Sequence, residues 1–306
     1  MWTARRFLLA IPGVLLFSVA VASCKGRSDQ DVGGENHPFV VVLSPSHRSD
    51  PANIEKFRSS VEKKSGLRFD VRVAETEGAA VASVSSSAAD AWLLPLFDYL
   101  FCQQEYGVEA RIRLIRMGGA DAFKGVIVVR ADGPVEKLDQ LEGKTIGFVD
   151  RYSTSGFVYP AKVLREANVT PKPVFVGSHE GVLEQLRLGK VDAAATYAKA
   201  VEGDTSVRVL VTTDAVPNEP IFFRKGLDPA KRDRVVDAMI AFASEPGASD
   251  VLHGIGDVER FEKVDDAAYK VARESVSGAD RQVQDLVPRG WLIHNQNRAP
   301  LSAYAP

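Results

Sequence analysis

Three consecutive hydroxyl residues stand where a predicted strand passes into a predicted helix. Ser153, Thr154 and Ser155 follow the apolar run 145–149, and Gly156 comes directly after them. The first N–H groups of a helix have no backbone acceptor, and the helix dipole is positive at that end. Hydroxyls and free N–H groups together form a cradle for an oxyanion. Helix capping alone is the simpler explanation, but it needs fewer hydroxyls than this segment supplies.

A second junction of the same kind follows the next predicted strand. Gly177 and Ser178 come after strand 174–176, and His179 occupies the first position of a helix that Ser178 can cap. We expect the His179 ring to face the same groove and to donate to a ligand oxygen. Its pKa should lie below the ordinary value, because a positive helix end disfavours the imidazolium ion. A purely structural histidine is the alternative.

The same residues do not form a convincing catalytic set. Ser153, His179 and Asp192 can be drawn as a triad, but no nucleophile-elbow pattern surrounds the serine and no Walker-type phosphate loop is present. The five histidines are scattered along the chain, without the spacing of a metal site. We therefore expect a binding protein rather than an enzyme, with no cofactor and no metal.

The N-terminal residues have the pattern of an exported lipoprotein. Arg5 and Arg6 precede an apolar stretch at 7–20, which is the size of a signal-peptide core. The following Val-Ala-Ser-Cys24 resembles the bacterial lipobox, in which the cysteine is lipidated and becomes the mature N-terminus. We expect a signal peptide at 1–23, lipidation of Cys24, a polar tether at 24–37 and a location outside the cytoplasm. An ordinary signal peptide followed by an incidental cysteine is the alternative.

Composition limits the partners of the chain. Its 306 residues are 45% hydrophobic and 25% charged, and the formal net charge is −2. This balance is ordinary for a globular protein and predicts no general affinity for nucleic acid. An anion must therefore be attracted by local groups rather than by the overall charge. We expect a monomer.

Strands and helices alternate along the chain, which predicts α/β sheets with mostly parallel strands. The predicted strands are 39–43, 69–73, 89–94, 124–130, 145–149, 174–176, 191–197, 207–212 and 221–223. The predicted helices begin at Pro51 and then occupy 78–87, 98–106, 135–141, 154–167, 178–188 and 229–243, with helical elements and a tail beyond them. One open sheet of this many strands is near the practical limit. We therefore expect two lobes, 38–130 plus 214–306 and 131–213, with the ligand in the groove between them.

Six segments of the chain together resemble a known family. They are GVIVVRAD at 125–132, LEGKTIGFVD at 141–150, STSGFVYP at 153–160, GSHE at 177–180, VDAAA at 191–195 and VPNEP at 216–220. This pattern resembles the phosphonate/phosphite/phosphate substrate-binding proteins of ABC transporters, over about 120–245 and more loosely upstream. The resemblance implies a type II periplasmic-binding-protein fold and ABC permease and ATPase subunits as partners. It also implies that Ser153, Thr154, Ser155 and His179 hold the phosphonate oxygens.

Several positions depart from the family pattern. Phe123 and Glu77 stand where the family often has tyrosines, and Lys199 stands where some aminophosphonate binders have an acidic residue. Glu219 is the acidic residue of the VPNEP segment. A carboxylate facing an oxyanion is repulsive unless one of them is protonated, so Glu219 favours a protonatable phosphorus oxyanion over sulfate, or pairs with a ligand ammonium. Lys199 disfavours an aminoalkyl tail, and we expect a small ligand.

Two further interpretations remain open from the sequence. A lipid-anchored protein of this fold can present its ligand-bound form to a receptor instead of a permease. Related two-lobed proteins also bind other small molecules, such as sulfonate, nitrate or thiamine precursors.

Overall fold

The computed structural model describes residues 31–45, 50–86, 88–256, 258–278 and 281–298. The predicted signal peptide, Cys24 and the first part of the tether lie outside these residues.

Eleven strands and nine helices are present in the described part of the chain. The strands are β1 (Phe39–Leu43), β2 (Phe69–Val73), β3 (Ala91–Leu93), β4 (Glu109–Arg116), β5 (Ala122–Arg130), β6 (Thr145–Phe148), β7 (Lys172–Phe175), β8 (Ala193–Tyr197), β9 (Val207–Pro217), β10 (Pro220–Phe223) and β11 (Val258–Lys263). The helices are α1 (Pro51–Ser65), α2 (Glu77–Ser85), α3 (Leu96–Tyr106), α4 (Tyr159–Glu166), α5 (His179–Arg187), α6 (Pro229–Phe242), α7 (Ala248–Gly256), α8 (Lys270–Gly278) and α9 (Gly290–Arg298).

The described strands form two sheets, as the alternating pattern predicted. The larger sheet has six strands in the order β11-β4-β10-β3-β1-β2, and the smaller has five in the order β7-β6-β8-β5-β9. In the larger sheet β1 is parallel to both β2 and β3, and in the smaller sheet β6 is parallel to both β7 and β8. The predicted two-lobed α/β class is therefore confirmed.

The chain passes between the sheets twice, at 117–121 and at 218–219. The second crossing lies slightly beyond our boundary at 213/214, because β9 continues in the smaller sheet to Pro217. The first lies further from its predicted place: our boundary at residue 130 assigned β5 to the first lobe, whereas β5 pairs with β8 and β9 in the smaller sheet. An apolar run such as that of β5 fits the centre of either sheet, so only the hydrogen-bond partners assign it.

Local signals account for many element boundaries. All five residues of β1 are buried, as expected for an apolar strand with neighbours on both edges. The Asp50 side chain caps α1 by accepting from the Ala52 N–H, and Pro51 occupies the first turn. Gly66 ends this helix in the left-handed conformation, with φ of 66°.

Two strands were not predicted from the sequence, and one predicted helix is shorter than expected. β4 was not predicted, although its apolar residues Ala110, Ile112 and Leu114 alternate and are buried. β11 lies in the region expected to be helical. The predicted helix 135–141 is only a 3₁₀ turn at Leu138–Leu141.

The C-terminal helices contact both sheet units. α8 packs against α4, and Arg281 lies over the Phe157 ring at 5.6 Å from its centroid. α9 packs against α3 of the larger sheet unit. The described helices include none that is long and apolar enough to cross a membrane.

Candidate functional site

A cavity of about 620 Å³ lies at the two crossings between the sheets. Both crossings contribute to its wall, as do the ends of β4 and β8, the start of β5 and the two predicted polar junctions. The lining residues are Arg116, Met117, Ala120, Ala122, Phe123, Lys124, Ser155, His179, Tyr197, Ala198, Lys199, Asn218 and Glu219. Ligands of α/β proteins bind at such places, outside the carboxyl ends of strands.

The first crossing is a tight turn. Gly118 and Gly119 have φ of 83° and 75°, a region that favours glycine. The turn brings Ala120 back to Arg116, and their backbones exchange hydrogen bonds of 2.8 and 3.2 Å. This turn holds Arg116 at the cavity wall.

The hydroxyl cluster lies partly in the cavity. Ser155 lines it and is only 5% exposed. Ser153 instead caps the following turn, because its Oγ accepts from the Gly156 N–H at 3.1 Å. Ser153 and Thr154 are not among the described residues that line the cavity. The simpler capping explanation therefore fits Ser153, whereas Ser155 is in position for a ligand.

The helix after this junction does not begin as an α-helix. Thr154–Val158 forms a π-helical turn, and α4 starts only at Tyr159. Pro160 lies in the first turn of α4 and has no N–H to donate. An α-helix that began at Thr154 would therefore lack one backbone hydrogen bond, and the wider π turn before α4 avoids this loss. The prediction of one helix over 154–167 was therefore wrong in its first turn.

Gly156 is required by packing. A Cβ at this position would lie 2.7 Å from Ser153 Oγ and 2.8 Å from Val149 Cβ. The close approach lets the turn pack on the end of β6, where the Val149 N–H donates to the Gly156 carbonyl at 3.2 Å. The glycine thus sets the position of Ser155.

His179 begins α5 and faces the same cavity, as predicted. Its Nδ1 lies 2.9 Å from Thr196 Oγ1, and its ring meets the Tyr197 ring edge-on at 4.8 Å between centroids. These contacts fix the ring and assign any ligand contact to Nε2. Burial lowers the pKa of His179, while Glu180 and Asp150 oppose the shift. The direction agrees with the prediction, although the largest cause is desolvation.

Glu219 also lines the cavity, but its charge is compensated. Arg116 Nη2 lies 2.6 Å from Glu219 Oε2, and both side chains are mostly buried. An oxyanion beside Glu219 therefore also meets the Arg116 guanidinium. The electrostatic argument against sulfate assumed an unpaired carboxylate, and this assumption was wrong.

Several cavity residues were not found from the sequence as ligand-binding candidates. Arg116 ends β4, the strand that the sequence analysis missed, and Lys124 and Tyr197 carry no local motif. Asn218 is fully buried, and its amide donates to the carbonyls of Leu114 and Ala120 at 2.9 and 2.8 Å. These side chains line one cavity because the fold brings the two crossings together, which the sequence alone does not show.

The sequence also matches a known protein family over most of its length. A family model described as "ABC transporter, phosphonate, periplasmic substrate-binding protein" matches residues 39–269. The chain belongs to this family. Its members are substrate-binding proteins of importers rather than enzymes, and the family is extracytoplasmic.

One relative and two solved structures illustrate what the chain is similar to. The phosphonates-binding periplasmic protein of Escherichia coli is 23% identical over 258 residues, which cover 79% of this chain and 75% of that protein. XAC2383 from Xanthomonas citri bound to ATP aligns with a TM-score of 0.68 at 21% identity, over 82% of this chain and 99% of that one. PhnD1 from Prochlorococcus marinus in complex with methylphosphonate aligns with a TM-score of 0.61 at 16% identity, over 80% and 98%. These two structures show the shared fold.

The catalytic triad considered above does not assemble in this binding protein. Asp192 accepts from the N–H and hydroxyl of Thr145 at 2.8 and 2.7 Å. His179 Nδ1 is engaged by Thr196, and Ser153 Oγ caps a turn. The three residues of this triad therefore make separate hydrogen bonds with other residues.

Glu77 was also predicted as a ligand-binding residue. It is the first residue of α2 and accepts from Ser44 Oγ at 2.8 Å, while its Oε2 is buried and has no hydrogen-bond partner among the residues that the structure describes. It is not among the described lining residues of the cavity. Phe123, the other position aligned with a family tyrosine, does line it. A ligand contact by Glu77 stays a prediction.

Proposed function

We propose that the protein binds a phosphorus oxyanion, either phosphonate, phosphite or phosphate, in the 620 Å³ cavity and delivers it to an ABC importer. The observation that carries the proposal is the convergence of Ser155 and His179 on one cavity wall beside Arg116. A hydroxyl, an imidazole and a guanidinium are suitable donors for phosphoryl oxygens. The similar proteins are described as phosphonates-binding, as bound to ATP or as in complex with methylphosphonate. Because these ligands differ, the phosphorus anion that this chain binds is part of the proposal.

Isothermal titration calorimetry on the purified mature domain tests the proposed ligand class. Phosphite, methylphosphonate, phosphate and sulfate are titrated separately, with Ser155→Ala as the matched variant. We expect at least one phosphorus anion to bind, and we expect its affinity to fall in the variant. Binding of sulfate alone, or of none of these anions, would overturn the proposal.

We further propose that the two sheet units are lobes that close on the ligand. The crossings at 117–121 and 218–219 lie beside the cavity, so rotation about them changes its width. Closure expels water and strengthens the hydrogen bonds to the ligand. Small-angle scattering should show a smaller radius of gyration with ligand than without it, and an identical radius would contradict closure.

The proposal includes a lipid anchor on Cys24, which lies outside the described residues. The cysteine stands at the expected cleavage site, and the anchor would hold the soluble domain near the permease. Expression in bacteria with an alkyne fatty acid tests this point. We expect labelling that Cys24→Ser abolishes and that Cys102→Ala preserves, since Cys102 is fully buried in the domain. Equal labelling of the Cys24 variant would disprove the anchor.

We also propose that the domain acts as a monomer. Light scattering coupled to size exclusion should return the mass of one chain, and a mass of two chains would contradict this point.

A further inference from the structure

The cavity wall carries more positive than negative charge. Three cationic side chains, those of Arg116, Lys124 and Lys199, and one carboxylate, that of Glu219, line it. With His179 neutral, the balance of these four side chains is +2, on a chain whose formal net charge is −2. A cleft lined by one sign of charge concentrates ligands of the opposite sign.

The cations are not equivalent. Arg116 is paired with Glu219 at 2.6 Å. Lys124 and Lys199 are exposed, and among the described residues neither has a carboxylate within ion-pairing distance. Two ammonium groups beside one cavity repel each other, and an anion between them would relieve this repulsion. The unpaired positive charge is therefore in the lysines rather than at Arg116.

Apolar side chains also line the cavity. Met117, Phe123 and Tyr197 line the cavity together with three alanines. Its volume of about 620 Å³ lies within the range of roughly 300–1,000 Å³ that holds ligands of drug-like size. Both features favour an organic ligand larger than the small anion expected from the sequence.

From these observations we propose that the ligand carries a second anionic group, a carboxylate or another phosphoryl group, and that Lys124 and Lys199 bind it. The inference rests on the proposed function, in which Ser155 and His179 hold the first phosphoryl group. The organic part of the ligand would lie against Phe123 and Tyr197. An aminoalkyl phosphonate, which presents an ammonium at the same distance, is disfavoured by repulsion from the two lysines.

Calorimetry with a matched ligand series tests the inference. Propylphosphonate, phosphonopropionate and aminoethylphosphonate have a neutral, an anionic and a cationic end, and phosphonoacetate and phosphonobutyrate vary the distance of the carboxylate. We expect one carboxylate ligand to bind about tenfold more tightly than propylphosphonate, and aminoethylphosphonate to bind more weakly than both. The preference should weaken as salt is raised, because exposed charges are screened.

Variants assign the effect to the two lysines. The double variant Lys124→Gln/Lys199→Gln should remove the carboxylate preference, so that phosphonopropionate loses more affinity than propylphosphonate does. Lys190→Gln, an exposed lysine outside the cavity lining, should retain the preference. Equal binding of the neutral and anionic ligands, or a preference that survives the double variant, would overturn the inference alone. Failure of all these phosphonates, together with failure of phosphite and phosphate, would overturn the proposed function and the inference with it.

Discussion

Arg116 and Glu219 form an ion pair of 2.6 Å that joins the two crossings between the sheets. Arg116 is the last residue of β4, before the first crossing, and Glu219 lies in the second crossing, before β10. Because both residues also line the cavity, the pair sets its electrostatics as well as its shape. Its two members should have opposite effects on anion binding.

Neutralising Glu219 should raise affinity for a fully ionised anion. Glu219→Gln removes a negative charge from the cavity wall and releases Arg116 toward the ligand. We expect methylphosphonate to bind about two- to fivefold more tightly at mildly alkaline pH, since a partly exposed ion pair contributes modestly. Calorimetry measures the change, and weaker binding would contradict this role of Glu219.

Arg116→Gln should have the reverse effect. It removes a cation from the cavity wall and leaves the negative charge of Glu219 near the anion. Affinity should fall by about tenfold or more, because hydrogen bonds to charged groups are the stronger ones. The double variant with Glu219→Gln should recover part of the loss. An additive double variant would show that the two side chains act on the ligand independently.

Substitutions of the two serines of the polar junction should have different effects, one on ligand binding and the other on the stability of the fold. Ser155→Ala removes a hydroxyl from the cavity and should cost about 1–3 kcal/mol of binding free energy. Ser153→Ala removes a cap and should cost about 0.5–2 kcal/mol of unfolding free energy. Calorimetry and urea unfolding of both variants test this division. A Ser153 variant that binds the ligand as weakly as the Ser155 variant would show that Ser153 also contacts the ligand.

His179 should make the ligand-free protein less stable in acid. Burial lowers the pKa of His179 below the ordinary 6.5, so the unfolded chain takes up a proton first as the pH falls. This contribution to the unfolding free energy is fully present above about pH 6.5 and is lost as the pH falls toward the lowered pKa of the folded state. Urea unfolding of wild type and His179→Gln on either side of this window measures it.

The His179→Gln variant supplies the control, because other groups titrate equally in both proteins. We expect wild type to lose more stability than the variant on acidification. A bound phosphonate should reduce that loss, since an anion favours the imidazolium ion. Parallel pH profiles for the two proteins would contradict the prediction.

Asn218 should stabilise the fold through the crossings. Its amide donates to the carbonyls of Leu114 and Ala120, and its N–H donates to the Asp121 carbonyl at 3.2 Å. Asn218→Ala removes the two side-chain bonds from a fully buried site and should cost about 1–3 kcal/mol of unfolding free energy. Asn297→Ala, whose bond to Glu105 is exposed, is the matched control and should change stability by less than about 0.5 kcal/mol. Equal costs in urea unfolding would contradict a special role for Asn218.

The sequence by itself determined what depends on neighbours along the chain. The buried β1, the capped start of α1 and the placement of Ser155 and His179 at strand-to-helix junctions all follow from local patterns. The family was also recognisable, because its segments keep their order and spacing.

Tertiary structure decided which distant segments meet. An apolar run such as β5 could join either sheet, and its pairing with β8 and β9 moved the first crossing to 117–121. That crossing places Arg116 against Glu219, and it puts Lys124 and Lys199 on one cavity without an acidic partner among the described residues. Hydrogen bonds and ion pairs between residues a hundred positions apart leave no periodic mark in a single sequence, so the charge of the cavity became visible only in the folded chain.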